Sequence, residues 1–272
     1  MSSHGDGSPW RRLHGMRTVV RLLAVGWLFH FKMISRSSFD AFLGVLWPLF
    51  FATVAFFMFR AGGGAETLVY ASLGAAVMGI WSVTSTSAGA AMQRERWNGT
   101  LEVLVASPAP FALVLLPVTI AMTTIGLYCM VATLLWGRLL FGIELHVEQP
   151  LLFALSIPVA IVSIGTFGFL LAVAFVRYRF AWALGNLLEY PVWLICGFLV
   201  PLTLLPDWVR PISWLLAPTW GMRATRESAL GGSPLPDLAM CFALAAGYVL
   251  IGVLVLDTAL RAARARAALS LT

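Results

Sequence analysis

Charge is what this sequence has least of. Only 11% of its 272 residues are Asp, Glu, Lys or Arg, while 60% are hydrophobic and the mean hydropathy is +0.88. Soluble domains carry about 25% charged residues, so much of this chain must have lipid as its solvent. Lysine is almost missing: Lys32 stands alone against 17 arginines, a bias that points to a GC-rich bacterial genome. The three cysteines, Cys129, Cys196 and Cys241, sit inside apolar runs, where they act as small packing residues, and no disulfide is expected. His4, His14, His30 and His146 are scattered, and no Cys/His spacing suits a metal. A Gly-x-x-x-x-Gly-Lys-Ser/Thr phosphate loop is also lacking, because the only lysine follows Phe31. Neither a metal nor a cofactor is expected on this chain.

What the chain has is a series of long apolar runs. At about 20 residues per crossing, candidates lie at about 39–59, 67–91, 111–136, 151–176, 182–204 and 237–260. An all-α integral membrane protein with six transmembrane helices is the expectation. The stretch from Trp10 to Ser35 differs, since its uninterrupted apolar run, Leu22 to Phe31, is too short to cross. Val20, Leu23, Trp27, Phe31 and Ile34 recur at helical spacing among Arg11, Arg12, Arg17, Arg21 and Lys32, which suits an interfacial helix lying on the bilayer. That same run is followed by Lys32, Arg36 and Asp40 rather than by small residues, so a cleaved signal peptide is not expected.

The basic balance, +6 with an isoelectric point near 9.8, has two readings: nucleic acid or membrane topology. Placement of the cations decides. Counted at alternate ends of the six runs, 13 Lys and Arg residues fall on the side of both termini and five on the other, these being Arg60, Arg138, Arg210, Arg223 and Arg226. The positive-inside rule then puts both termini in the cytoplasm, and no nucleic-acid partner is implied. Three parts follow: a cytoplasmic N-terminus and interfacial helix over residues 1–36, a six-span domain over 37–260, and a basic cytoplasmic tail over 261–272.

Two places depart from a plain bundle. Residues 205–230 are too apolar for an ordinary loop, and Pro206, Pro211 and Pro218 cut them into short pieces. Two re-entrant helices, about 208–216 and 219–229, dipping back from the outer face satisfy the rule that broken backbone at membrane depth must be covered by protein or water. An aromatic-rich interfacial loop is the other reading. Pro206, Trp208, Pro218 and Arg223 are the gate candidates there. Glu189 lies about 10 Å into the fifth run, and a carboxyl in lipid is costly. It is either a polar contact on the transport path or permease interface, or a structural carboxyl near the cytoplasmic boundary. Ala75 with Gly79, and Ser85 with Gly89, permit close helix contact in the second run.

The densest segment lies between the second and third runs. It reads Gln93-Arg94-Glu95-Arg96-Trp97-Asn98-Gly99-Thr100-Leu101-Glu102-Val103-Leu104-Val105-Ala106-Ser107-Pro108. Trp97, Leu101, Leu104 and Val105 share one helical face, with charge elsewhere, so a short amphipathic helix over about 93–108 is expected to dock in a groove of a soluble partner.

The string Glu95-Arg96-x-x-Gly99-Thr100-Leu101-Glu102-x-Leu104-x-x-Ser107-Pro108 closely resembles the signature of type-2 ATP-binding-cassette (ABC-2) exporter permeases, notably the bacterial drug-exporter branch. The resemblance extends through Gly197, Pro201 and Leu205-Pro206-Asp207-Trp208 to Pro218-Thr219 and Arg223. It implies that Glu95, Arg96, Gly99, Thr100, Leu101, Glu102, Leu104 and Ser107 form a coupling helix seated on a separate ATPase subunit. It further implies two cytosolic ATPase subunits, which use ATP and Mg, and a second copy or paralogue of this permease. The implied location is the bacterial cytoplasmic membrane, and the implied cargo is a drug, antibiotic or lipid rather than a polysaccharide or glycolipid. Readings from other classes are a membrane-embedded lipid-modifying enzyme or a secondary transporter. The first needs a nucleophile with its base or paired carboxylates, and the second repeats with midplane charges; neither pattern is evident.

Overall fold

The structure, a computed structural model, describes residues 16–36, 38–62, 65–97, 112–144, 146–175 and 181–269. Every regular element among them is helical. In chain order these are α1 (Met16–Ser35), α2 (Ser38–Gly62), α3 (Ala65–Trp97), α4 (Ala112–Phe141), α5 (Pro150–Phe175), α6 (Ala181–Ile195), a 3-10 turn at Leu202–Leu204, α7 (Arg210–Trp214), α8 (Ala217–Leu230) and α9 (Leu235–Leu269). Four segments are long and apolar enough to cross a membrane: Thr67–Thr86, Ala112–Phe141, Pro150–Ala174 and Leu235–Thr258. Leu49–Arg60 of α2 is a shorter apolar helix of the same character.

Helix α3 is the hub, with α2, α4, α5, α6 and α8 all packed on it. Of its apolar segment 72% is buried, against 28% for α9 at the periphery. Small residues make this possible: Ala71, Ala75, Ala76 and Ser85 are fully enclosed and let neighbouring backbones approach. Ala75, Gly79 and Ser85 of the second run are thus packed within the chain, and the surroundings of Gly89 lie outside the described residues. Between α3 and α4 the hydroxyls of Thr84 and Thr123 lie 3.0 Å apart. Each also donates back to its own helix, to the Ile80 and Thr119 carbonyls at 2.8 Å, which is how a buried hydroxyl is satisfied without water. On the far side α5 and α9 run parallel, with Ser163 Oγ donating to the Cys241 carbonyl at 3.1 Å and Phe169 reaching the level of Gly252.

Two elements differ from the sequence expectation. The fifth apolar run was expected to be helical over 182–204, yet α6 stops at Ile195. Gly197 takes the left-handed conformation (φ 75°), which glycine adopts without steric cost and which ends a helix. The second difference is the placement of α1. Leu23 packs with Ala112, Leu115 and Leu116, Gly26 faces Pro117, Trp27 Nε1 donates to Thr124 Oγ1 at 3.1 Å, and Phe31 stacks on Tyr128 with 6.2 Å between ring centroids. A helix lying across α4 would meet it at one level. Instead the contacts climb together, from Leu23 to Phe31 on α1 and from Leu115 to Tyr128 on α4, so α1 leans along α4 for about two of its own turns. The 261–272 tail, expected as a separate part, continues α9 in helical form as far as Leu269.

Gly26 leaves little room for a side chain, since an added Cβ would sit 3.0 Å from Pro117 Cβ. Gly26→Leu should therefore lift α1 from α4 and raise its cleavage in limited proteolysis of detergent-purified protein, while Val25→Leu, at an exposed position, should not. Equal protease resistance of both variants would contradict the lengthwise packing.

Candidate coupling end and re-entrant site

The two ends of α3 serve different sites. Its apolar run ends at about residue 91, yet the helix continues to Trp97. Those further residues extend it by about 9 Å. The extension holds because Met92, Gln93, Arg94, Glu95 and Arg96 are all good helix formers. Glu95 and Arg96 consequently lie in the last turn of α3, where residues from 93 onward were expected to begin a separate helix. Gly99, Thr100, Leu101, Glu102, Leu104 and Ser107 lie outside the described residues.

At the opposite end the chain leaves α6 and turns back on itself. The 3-10 turn, α7 and α8 follow each other before α9, and two short helices stand where two were expected. Helix α8 runs antiparallel to α5: Gly221 faces Ala160 and Ile164, Ser228 Oγ lies 3.4 Å from Ser156 Oγ, and the Glu148 N–H donates to the Ala229 carbonyl at 3.1 Å. Gly221, one turn into α8, thus sits ten to fourteen residues along α5, about 15–20 Å from the Pro150 end. Tyr248 of α9 holds the α7–α8 corner, accepting from the Ala217 N–H at 3.0 Å and donating to the Leu215 carbonyl. Backbone groups at a buried bend need such partners.

The four gate candidates are not brought together. Pro206 and Trp208 are exposed on the outer turn, with the Pro206 carbonyl accepting from the Val209 N–H at 2.9 Å. Pro218 is buried in the first turn of α8, where a missing N–H costs nothing. Arg223 lies one face away: its Nη2 is 3.3 Å from Asp237 Oδ1, and its guanidinium stands 5.0 Å from the Trp220 ring centroid.

The residue that organises this end is Arg226, which the sequence reading counted only as an outer-side cation. Its Nη1 donates to the Gly197 carbonyl at 2.6 Å and its Nη2 to the Phe198 carbonyl at 2.6 Å, with the Tyr70 carbonyl at 3.3 Å. The guanidinium carbon lies 3.4 Å from the Tyr70 ring centroid. The carbonyls left over where α6 breaks are thereby satisfied, by the one side chain whose planar fork reaches two acceptors at once. Gly74 of α3 is part of the same arrangement, because a Cβ there would collide with the Phe198 carbonyl and with Arg226 Nη2. One signal was readable: Arg226 follows Met222 at helical spacing, on the apolar face of a proline-framed segment.

Glu189 lies inside the bundle, 4% exposed, on the side of α6 that faces α3. The outward side of α6 carries Leu187, Tyr190 and Leu194. Ser82 of α3 is a polar neighbour of the Glu189 carboxyl, but Glu189 Oε1 and the Ser82 hydroxyl stand outside good hydrogen-bond geometry among the described residues, as do the indole N–H groups of Trp81 and Trp193.

Replacing Arg226 by Leu would strip the Gly197 and Phe198 carbonyls of their donor, at about 1–3 kcal/mol for each buried acceptor left unpaired. Arg226→Leu should lower the unfolding temperature in detergent and the yield of folded protein, whereas Glu189→Gln, which keeps shape and polarity, should change neither. An unfolding temperature for Arg226→Leu equal to that of the unaltered protein would show that the cap does not hold this end together.

The sequence profile of the ABC-2 type transporters matches residues 22–230, from within α1 to the last residue of α8. A search of curated proteins finds no match. Well over half of the chain is covered by the profile, and the helical architecture is that of a multi-pass membrane protein. The chain therefore belongs to the ABC-2 type transporter family and is a membrane permease component of a transporter.

Proposed function

We propose that this permease is the membrane half of an ATP-driven exporter, carrying a hydrophobic or amphipathic substrate, a drug, antibiotic or lipid, out of the cytoplasm or the inner leaflet. ATP and Mg are used by two separate cytosolic ATPase subunits, and a second permease copy or paralogue completes the assembly in a bacterial cytoplasmic membrane. The observation that carries the reading is the continuation of α3 past its apolar run, which ends at about residue 91, into Arg94-Glu95-Arg96-Trp97, just before the Gly99-Thr100-Leu101-Glu102 string. A hub helix that leaves the bilayer at the docking segment is suited to carry an ATPase movement to the helices packed on it.

Six crossings with both termini in the cytoplasm agree with the helix directions. Helices α3 and α4 are antiparallel, with Thr84 against Thr123 and Ile80 against Gly126. Likewise α5 and α9 are parallel, as the fourth and sixth crossings of such a topology must be. The rest of the proposed coupling helix, from Gly99 to Ser107, supplies the partner's contact surface, with Leu101, Leu104 and Val105 on one face and Thr100 as its N-terminal cap. Glu189, enclosed at the α3–α6 interface, serves as a polar contact beside the transport path. A polysaccharide or glycolipid exporter of the same family is the second reading of the cargo.

Glu95→Ala, Glu102→Ala and Gly99→Pro should leave expression intact and weaken either ATPase co-purification or substrate-stimulated hydrolysis, by about tenfold where a buried charged contact is lost. If all three variants express, retain the ATPase and transport normally, the coupling role is wrong. A cysteine at position 98 should react with membrane-impermeant reagents only in inverted vesicles, and labelling from outside intact cells would overturn the topology.

A further inference from the structure

Above Arg226, at the end of the bundle where α3 begins and α8 finishes, lies a cavity of about 440 Å³. That volume falls within the range of small-molecule sites, about 300–1,000 Å³. Its walls have two characters. Leu202, Met222 and Leu230 supply apolar surface, while Arg223, Arg226 and Glu227 supply charge.

Arg226 is the telling member. Nine-tenths or more of it is buried, and no carboxylate is paired with it among the described residues. Its two terminal nitrogens are taken up by backbone carbonyls, which leaves Nε, a buried donor with no partner among the described residues. Carbonyl dipoles offset only part of a full positive charge, so an anion entering the cavity gains the remaining charge. Arg223 adds a second cation that is partly exposed and already shared with Asp237. Glu227, also on the lining, keeps its carboxylate, whose Oε2 accepts from the Ser233 N–H at 3.1 Å. With that carboxylate beside the two cations, a singly charged anion is accommodated more readily than a doubly charged one. The apolar walls favour an anion that carries hydrocarbon. The position fits as well: Tyr70 lies just inside the Thr67–Thr86 apolar segment, and Gly232 just before Leu235–Thr258. That is the level at which lipid headgroups meet the apolar layer.

We propose that this cavity is a binding site for a phosphodiester monoanion, with Arg226 as its buried anchor and the apolar walls receiving the adjoining hydrocarbon of a phospholipid-like amphiphile. The site is distinct from the coupling end, and its test requires neither ATP nor a partner.

The experiment uses the full chain purified in detergent and stripped of lipid, with binding read by native mass spectrometry and by competition against a fluorescent short-chain phospholipid. Three probes separate the contributions: dihexanoyl-phosphatidylglycerol, the soluble glycerophosphoglycerol headgroup, and dihexanoylglycerol without phosphate. The phospholipid should bind and the phosphate-free lipid should not. Because Arg226→Lys can fail to fold, the deciding variant is Thr203→Trp, which fills the cavity from the exposed 3-10 turn and leaves every Arg226 contact in place. It should weaken phospholipid binding at least tenfold with an unchanged unfolding temperature. Equal binding of the headgroup and the phospholipid, both lost in Thr203→Trp, would keep the anion site and assign it to soluble phosphodiesters. Binding of the phosphate-free lipid as tightly as the phospholipid, no phosphodiester binding at all, or unchanged binding by Thr203→Trp would overturn the proposal.

Discussion

A helix that breaks inside an apolar bundle exposes carbonyl groups that lipid cannot satisfy, and this constraint shapes one end of the molecule. Helix α6 breaks at Cys196-Gly197, and the carbonyls of Gly197 and Phe198 are taken by the guanidinium of Arg226. The arrangement ties three elements at one point: the end of α6, the start of α3 through Tyr70 and Gly74, and the middle of α8. Burying a cation without a carboxylate is costly. Here the cost is offset by three carbonyl acceptors and an aromatic face, and the re-entrant pair stays in place because its arginine has nowhere better to go.

From that knot α3 runs the length of the bundle and beyond it. Its 33 residues span about 50 Å, against a hydrocarbon layer of about 30 Å. One end is clamped at the Arg226 cap and the other reaches the segment that resembles the ABC-2 signature. Because α2, α4, α5, α6 and α8 all pack on this helix, a displacement at either end cannot remain local. Close packing by Ala and Ser leaves little slack between α3 and its neighbours. Helix α9, mostly exposed, and the outward face of α6, with Leu187, Tyr190 and Leu194, are among the apolar surfaces open to lipid.

Much of this was legible from the chain. Apolar runs of the right length located α3, α4, α5 and α9, and the prolines at 206, 211 and 218 marked the two short helices. Hydrophobic length, however, does not report where a helix ends inside an apolar run. The stop at Ile195 is a local backbone event at Gly197, with no change of polarity to announce it. Arg226 was hidden for a related reason: its partners are backbone carbonyls, which have no sequence signature, and it counted as one more outer-side cation. The placement of α1 escaped because its spacing defines a buried face without saying what covers it. Leu23, Trp27 and Phe31 were read correctly as one face, and that face meets α4. At the coupling end, Glu95 and Arg96 belong to α3 because Arg, Glu and Gln continue a helix as readily as they start one.

The account holds that the chain moves its cargo only when a separate ATPase drives it. That is tested most directly in vesicles reconstituted with the permease alone and with its ATPase, by following a panel of amphipathic fluorescent dyes. The account predicts dye movement only when the permease, the ATPase, ATP and Mg are all present. Movement by the permease alone under a proton gradient, or chemical turnover of a lipid by the permease alone, would contradict it.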